Sequence, residues 1–162
     1  MGIRVLLVLC MLAVSACGWQ LRSATDRVEI DRLTLLGATP EFRLPLEQSL
    51  EDDGVIIHDM APHMLKMSAP EWQSRTVALD RFGRAAEIEL RVKLVWQILD
   101  HKDAIVVPRQ VISTSRRYQV SADNVAGASD EDRLARDDMQ AEMILRIMRA
   151  LSKLAPTLES PE

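Results

Sequence analysis

Hydrophobic and polar residues alternate most regularly between Glu87 and Ile98. Glu87, Glu89, Arg91, Lys93 and Gln97 share one parity, Ile88, Leu90, Val92, Leu94, Trp96 and Ile98 the other, and only Val95 breaks the polar side. A period of two over this length predicts a strand with one buried and one wet face. Wound as a helix, the same residues would scatter charge around every side. Asp100-His101-Lys102-Asp103 predicts a hairpin turn, and Ile105 to Arg117 a returning strand, interrupted at Pro108 and extended by Tyr118 and Val120. Upstream, Arg75 to Asp80 is extended, with Val77 and Leu79 on one face, and ends in the turn Arg81-Phe82-Gly83-Arg84. A first strand is predicted over Val28 to Leu36. There Val28 and Ile30 share one parity and Leu33 and Leu35 the other, which implies a bulge or bend. Val55-Ile56-Ile57 begins another extended segment, while Met60 to Pro70, with two prolines, reads as an irregular link or an edge strand.

Helical spacing appears twice. Leu44, Leu46 and Leu50, with Pro45 in the first turn, predict a short helix through Glu51, ended by Asp52-Asp53-Gly54. Ala135, Met139, Met143, Ile147, Leu151 and Leu154 recur at intervals of three or four, widened by Ile144 and Met148. Asp137, Asp138, Glu142, Arg146, Arg149 and Lys153 occupy the opposite side, acids early and bases late as the helix dipole favours. Asp123 to Asp132 reads as a loop, Ser129 with Asp132 as a weak capping box, and Pro156 as the stop. The order predicts an α+β fold, with two helices packed on one face of a largely antiparallel, about four-stranded sheet. The helix between the first two strands implies a crossover connection.

The amino terminus follows other rules. Arg4 precedes ten residues without charge or amide, Val5 to Val14, and then Ser15-Ala16-Cys17-Gly18. A basic head, an apolar segment and a small-residue exit form a secretory signal. As a helix the apolar segment spans roughly 15 Å, about half a bilayer core, too short for a permanent anchor. Val14-Ser15-Ala16-Cys17 resembles the lipobox of bacterial lipoproteins. In that class the Cys17 thiol receives a diacylglycerol and, after cleavage, its amine receives a further acyl chain, a combination that anchors durably. Gly18 stands where an Asp would signal inner-membrane retention, so outer-membrane delivery is expected. The alternative is a soluble periplasmic protein cut after Ala16. The expected organisation is a signal peptide (1–16), a lipidated tether (17–27), a two-layer domain (28–156) and a tail (157–162).

Composition narrows the function classes. The 162 residues carry 20 basic and 24 acidic side chains, a formal charge of −4 that becomes −5 once the signal, with Arg4, is removed. Export and negative charge together disfavour a nucleic-acid partner. The two cysteines, Cys10 and Cys17, exclude a disulfide scaffold. Catalytic spacing is lacking: there is no His-Glu-x-x-His, phosphate loop or nucleophile elbow, and Ser113, Ser115 and Ser121 have no evident histidine–acid partnership. His58, Asp59 and His63 lack a fourth strong metal ligand, so no metal site or cofactor is expected. Asp130-Glu131-Asp132 and Asp137-Asp138 are accounted for as a helix start. Basic residues form three groups: Arg81 and Arg84 around Phe82-Gly83, Arg133 and Arg136 before the apolar part of the last helix, and Arg116-Arg117 in the return strand. Arginine grips phosphate bidentately, so the first two clusters are candidates for an anionic ligand, with solvated pairing to nearby acids as the bland alternative. The polar comb from Glu87 to Gln97 is either simple wet-face patterning or a docking face.

The mature start Cys17-Gly18-Trp19-Gln20-Leu21-Arg22 resembles the opening of the lipopolysaccharide-assembly lipoproteins of the outer-membrane Lpt machinery. The similarity continues through Leu79-Asp80-Arg81-Phe82-Gly83-Arg84-Ala85-Ala86-Glu87, Leu134-Ala135-Arg136-Asp137-Asp138-Met139 and Met143-Ile144-Leu145-Arg146. The resemblance implies a non-catalytic, lipid-anchored outer-membrane protein facing the periplasm, with an N-acyl diglyceride on Cys17. It further implies a plug, one to one, inside the large lipopolysaccharide-translocating β-barrel, which it helps to assemble. Lipopolysaccharide contact is implied at Arg81 and Arg136, which match the family's basic positions best, with Arg84 and Arg133 beside them. A generic outer-membrane adaptor without lipopolysaccharide contact is the competing class, and a periplasmic hydrolase the more distant one.

Overall fold

The computed structural model describes Val28, residues 30–120 and residues 125–158. The signal, Cys17, Trp19, the tether and Asp123 lie outside the described residues. The elements run β1 (Arg32–Leu36), α1 (Pro40–Asp52), β2 (Ile56–Ile57), β3 (His63–Met67), β4 (Glu71–Leu79), β5 (Ala85–Asp100), β6 (Ile105–Gln119) and α2 (Val125–Leu158).

The alternation from Glu87 to Ile98 becomes β5, the organising strand. One edge pairs antiparallel with β6, with Glu89 opposite Arg117 and Val92 opposite Thr114. The other edge is shared by β3 and β4, with Met67 opposite Trp96 and Glu71 opposite Lys93. Ser68 to Pro70 therefore face only Leu94 and Val95, a one-residue excess that makes a bulge. Ser68 closes it: its N–H donates to the Val95 carbonyl at 2.8 Å and its Oγ accepts from the Val95 N–H at 3.1 Å. β3 and β4 are thus successive parts of one lane, and β1 lies parallel to β3 on the far side, with β2 parallel at its outer edge. Four main lanes and a two-residue edge give the mixed, largely antiparallel sheet predicted from the pattern.

Leu33, Leu35, Leu65, Leu90, Val92, Leu94 and Ile98 bury the helix-side face of the sheet. Against them pack Phe42, Leu46 and Leu50 of α1 and Met139, Met143, Ile147 and Leu151 of α2, with Ile144 and Met148 beside that stripe. Burial of each such side chain is worth roughly 1.5–3 kcal/mol before chain entropy is set against it.

The prolines are where pattern and structure part. Met60 to Pro70 is neither a link nor an edge: it contains β3, between β1 and β5, with Leu65 fully buried. Pro62 and Pro70 stand just outside the strand, so neither removes a ladder donor. Helix α1 starts a turn earlier than expected. Pro40 takes its first position, where a missing N–H costs nothing, and Pro45 lies inside. The stripe is then Phe42, Leu46 and Leu50, while Leu44 is exposed. Pro45 has no N–H to offer the Glu41 carbonyl, and Gln140 of α2 donates to that oxygen at 2.9 Å instead. Helix α2 begins at Val125, so Ser129 is an interior residue rather than its cap, and it continues past Pro156 to Leu158. Ala155 and Leu158 are buried in the core, which holds the last turn although a proline removes one ladder bond. The first strand is shorter than expected: Val28 and Ile30 are buried but precede β1, so the parity change falls outside the ladder.

Two glycines carry turns. Gly54, at φ +97°, follows the last residues of α1, and its N–H donates to the Glu51 carbonyl at 2.9 Å. Gly37, at φ +80°, lies so close to the Met67 carbonyl that a Cβ would collide with it.

Candidate functional site

Asp80 builds the β4–β5 turn. Its N–H donates to the Arg84 carbonyl at 2.8 Å, and its Oδ1 accepts the N–H groups of Phe82 at 2.8 Å and Arg84 at 2.9 Å. Its Oδ2 takes the Arg84 Nε at 2.8 Å. Gly83 supplies the left-handed residue at φ +78°. The Arg84 backbone N–H, above all, holds the Asp80 carboxyl below the ordinary 3.8, so the turn keeps its anion to lower pH than a free aspartate would. On this frame the Phe82 ring is 67% exposed. The Arg81 and Arg84 guanidinium carbons sit 4.8 and 5.2 Å from its centroid, within cation–π range. Arg81 has no ion-pair partner among the described residues.

The helix cluster is held differently. Arg133 reaches Asp130 at 3.7 Å and Asp137 at 3.6 Å, long exposed pairs of little energetic weight. Arg136 is clasped: its Nε lies 2.7 Å from Asp132 Oδ2, and its guanidinium carbon lies 4.8 Å from the Trp72 ring centroid. Asp132 Oδ1 in turn accepts the Tyr118 hydroxyl at 2.8 Å. Trp72 stands opposite Val92 on β4 and Tyr118 opposite Ile88 on β6, so the clasp ties α2 to both lanes flanking β5. The Arg136 hydrogen bond chiefly depresses the Asp132 carboxyl. Burial, then the bond to Asp132, pushes the Tyr118 phenol up to about 12.

The structure therefore brings Arg81 and Arg84 together over one ring and separates Arg133 from Arg136 by partner. Both clusters belong to one end of the sheet: Val120 N–H donates to the Ala86 carbonyl at 2.9 Å, placing the exit of β6 beside the start of β5, just after the turn. His58 Nδ1 accepts the Met60 N–H at 3.1 Å. Among the described residues, no three His, Cys, Asp or Glu side chains converge as metal ligands.

Trp72, Tyr118 and one further group escaped sequence reasoning. On the sheet face away from the helices, Glu89 is nearly buried beneath three arginines. Its Oε2 meets Arg75 Nε at 2.7 Å and Arg91 Nη2 at 3.5 Å, and its Oε1 meets Arg117 Nε at 3.4 Å. The polar comb flagged Glu89 and Arg91, but Arg75 and Arg117 join them only through strand register.

The family model described as "LptE: Lipopolysaccharide-assembly" matches residues 25–151. The chain belongs to that family. Like its members it is a non-catalytic outer-membrane lipoprotein of the lipopolysaccharide-assembly system, facing the periplasm, and membership implies association with the translocon β-barrel. Solved structures agree on the fold. Lipoprotein B from Nitrosomonas europaea superposes with a TM-score of 0.68 at 19% identity, covering 90% of this chain and 99% of that one. Rare lipoprotein B from Shewanella oneidensis gives 0.68 at 21% identity, covering 80% and 100%. A minor lipoprotein from Acinetobacter baumannii gives 0.65 at 18%, covering 76% and 91%. No curated protein matches the chain significantly.

Proposed function

We propose that acylated Cys17 holds the domain at the inner leaflet of the outer membrane. From there the domain enters the lumen of the translocon barrel, one to one, as a plug that favours the assembled barrel. Binding to the folded barrel alone stabilises it by mass action. We further propose that Arg81 and Arg84 contact lipopolysaccharide phosphates, with Arg133 and Arg136 completing the surface at the same end of the sheet. The observation that carries this reading is the turn itself, a braced tip presenting Phe82 with two guanidiniums against its ring, Arg81 having no counterion among the described residues. A phosphate there meets Arg81 without displacing an acid, whereas Arg133 and Arg136 must first exchange their aspartates.

Two measurements test the two halves. Detergent purification from the native envelope is expected to recover a stoichiometric large β-barrel protein, and its absence under conditions that preserve other barrel complexes refutes the plug. Reversing charge with Arg81→Glu and Arg84→Glu is expected to abolish photocrosslinking to lipopolysaccharide while the barrel is still recovered. Unchanged crosslinking would favour an adaptor that never touches lipopolysaccharide.

A further inference from the structure

The open face of the sheet carries charge that the plug reading does not use. Across three adjacent lanes the register sets Arg75, Glu89 and Arg117 in one row, with Arg91 in the next row between Gln73 and Ser115. Neighbouring strands lie about 4.8 Å apart, so the two outer arginines flank Glu89 at one strand spacing each. The side chains of Arg75, Arg91 and Arg117 are 66%, 55% and 59% exposed, that of Glu89 8%. The carboxylate is the floor and the guanidiniums are the rim. Each arginine has five N–H donors, and the contacts with Glu89 use one from each; the remainder have no protein partner among the described residues.

One carboxylate neutralises one guanidinium. With Glu87 one row away on the same face, three guanidiniums still outnumber two carboxylates, a local positive surplus on a chain whose formal charge is −4. Salt-bridge stability does not require that surplus, since exposed pairs contribute little and like charges crowd each other. An anion from outside offsets it, and planar guanidinium forks suit a tetrahedral oxyanion. Beside the rim a groove of about 280 Å³ is lined by Gln73, Ser74, Arg75, Glu89 and Arg91. A concave site of this size admits a protruding group, whereas a flat acidic wall would touch only its rim. Gln73, which shares that face, adds an uncharged amide donor and acceptor of the kind that meets sugar hydroxyls.

We infer that Arg75, Arg91 and Arg117, arrayed over Glu89, form a phosphate grip on the open sheet face that takes a phosphate borne by a saccharide of lipopolysaccharide, separate from the Arg81–Arg84 turn. The inference rests on the proposal that this chain contacts lipopolysaccharide, and it adds where along the domain a second phosphate is held.

The test uses the full-length lipidated protein in detergent, titrated calorimetrically with bisphosphorylated lipid A and, in parallel, with the same lipid enzymatically stripped of phosphate. The double variant Arg91→Gln, Arg117→Gln is expected to bind the phosphorylated lipid at least tenfold more weakly and the stripped lipid as the parent does. Both positions are exposed, so an unchanged thermal melt is expected to accompany the loss. Affinity within twofold of the parent overturns the grip. If Arg81→Gln alone abolishes binding in that case, the turn reading stands without it. If the double variant keeps its lipid affinity but no longer recovers the barrel, the face is a protein-docking surface and the grip is likewise refuted. Loss of affinity for both lipid forms alike also refutes it, because phosphate is then not what the arginines recognise.

Discussion

Tyr118 is the only tyrosine in the chain, so its ionisation is a single-site reporter of the clasp between α2 and the sheet. Its phenol is pushed from the ordinary 10.0 up to about 12, first by burial, then by the hydrogen bond to Asp132 and the charge of that carboxylate, with Arg136 acting in the opposite direction. Two pKa units correspond to about 2.7 kcal/mol between the protonation states. The hydroxyl is partly open to solvent, and screening reduces its share of folding stability to on the order of 1 kcal/mol. Because the folded pKa is raised, that stability is fully present below pH 10 and is lost as pH rises through about 12. Asp132→Asn removes the carboxylate charge and leaves the burial. The tyrosinate ultraviolet absorbance of the folded protein is expected to titrate near 12 in the parent and on the order of one unit lower in the variant. Arg136→Gln removes the opposing cation and is expected to move the midpoint upward. A parent midpoint at 10, measured while far-ultraviolet circular dichroism still reports a folded chain, would refute the clasp. So would an Asp132→Asn variant that titrates like the parent.

The remaining predictions concern other parts of the frame. Gly37→Ala places a methyl against the Met67 carbonyl at a positive φ and is expected to cost on the order of 1–3 kcal/mol or more by urea unfolding. Gln140→Ala withdraws the donor that meets the Glu41 carbonyl, a loss of about 0.5–1.5 kcal/mol since water reaches that site. In a Pro45→Ala background the restored backbone N–H should erase most of that loss, which a double-mutant cycle measures. On the acid side, Asp132 stabilises the fold above its ordinary 3.8, and that contribution is lost as pH falls through its lower folded value. Asp132→Asn should therefore flatten the acid limb of the stability profile; a limb as steep as the parent's would show that other carboxylates control it.

The periodic elements were legible because their cause is local. Alternation at Leu90, Val92, Leu94, Trp96 and Ile98, and the spacing of Met139, Met143, Ile147 and Leu151, each state which face is buried without reference to the rest of the chain. Proline was the misleading signal. Pro45 reads as a helix start because its missing donor must be excused, and what excuses it is Gln140, 95 positions away in the sequence. Pro62 and Pro70 read as interruptions, yet they bracket a strand whose ladder they never enter. The turn arginines were visible because Asp80, Arg81, Phe82, Gly83 and Arg84 are contiguous. The arginines around Glu89 were not, since Arg75 and Arg117 stand 14 and 28 positions from it and only the pairing of three strands unites them.

That difference bears on which arginines are available to a ligand. Arg136 is one of the proposed lipopolysaccharide contacts, but it stacks on Trp72 and holds Asp132, and Asp132 holds Tyr118. A ligand phosphate that took Arg136 would have to release Asp132, leaving the Tyr118 hydroxyl bonded to a carboxylate that has lost its cation. The exchange loosens the contact between α2 and the sheet at the end where the turn also lies. Arg81 asks for no such exchange, because among the described residues it stacks on the Phe82 ring and pairs with no acid, and a cation stacked on an aromatic face keeps its edge free for an oxyanion. On the proposed reading, contact at the turn therefore comes first energetically. Engagement of Arg136 is coupled to opening of the clasp, so a ligand reaching both would bind tip-first and alter how firmly the long helix is held.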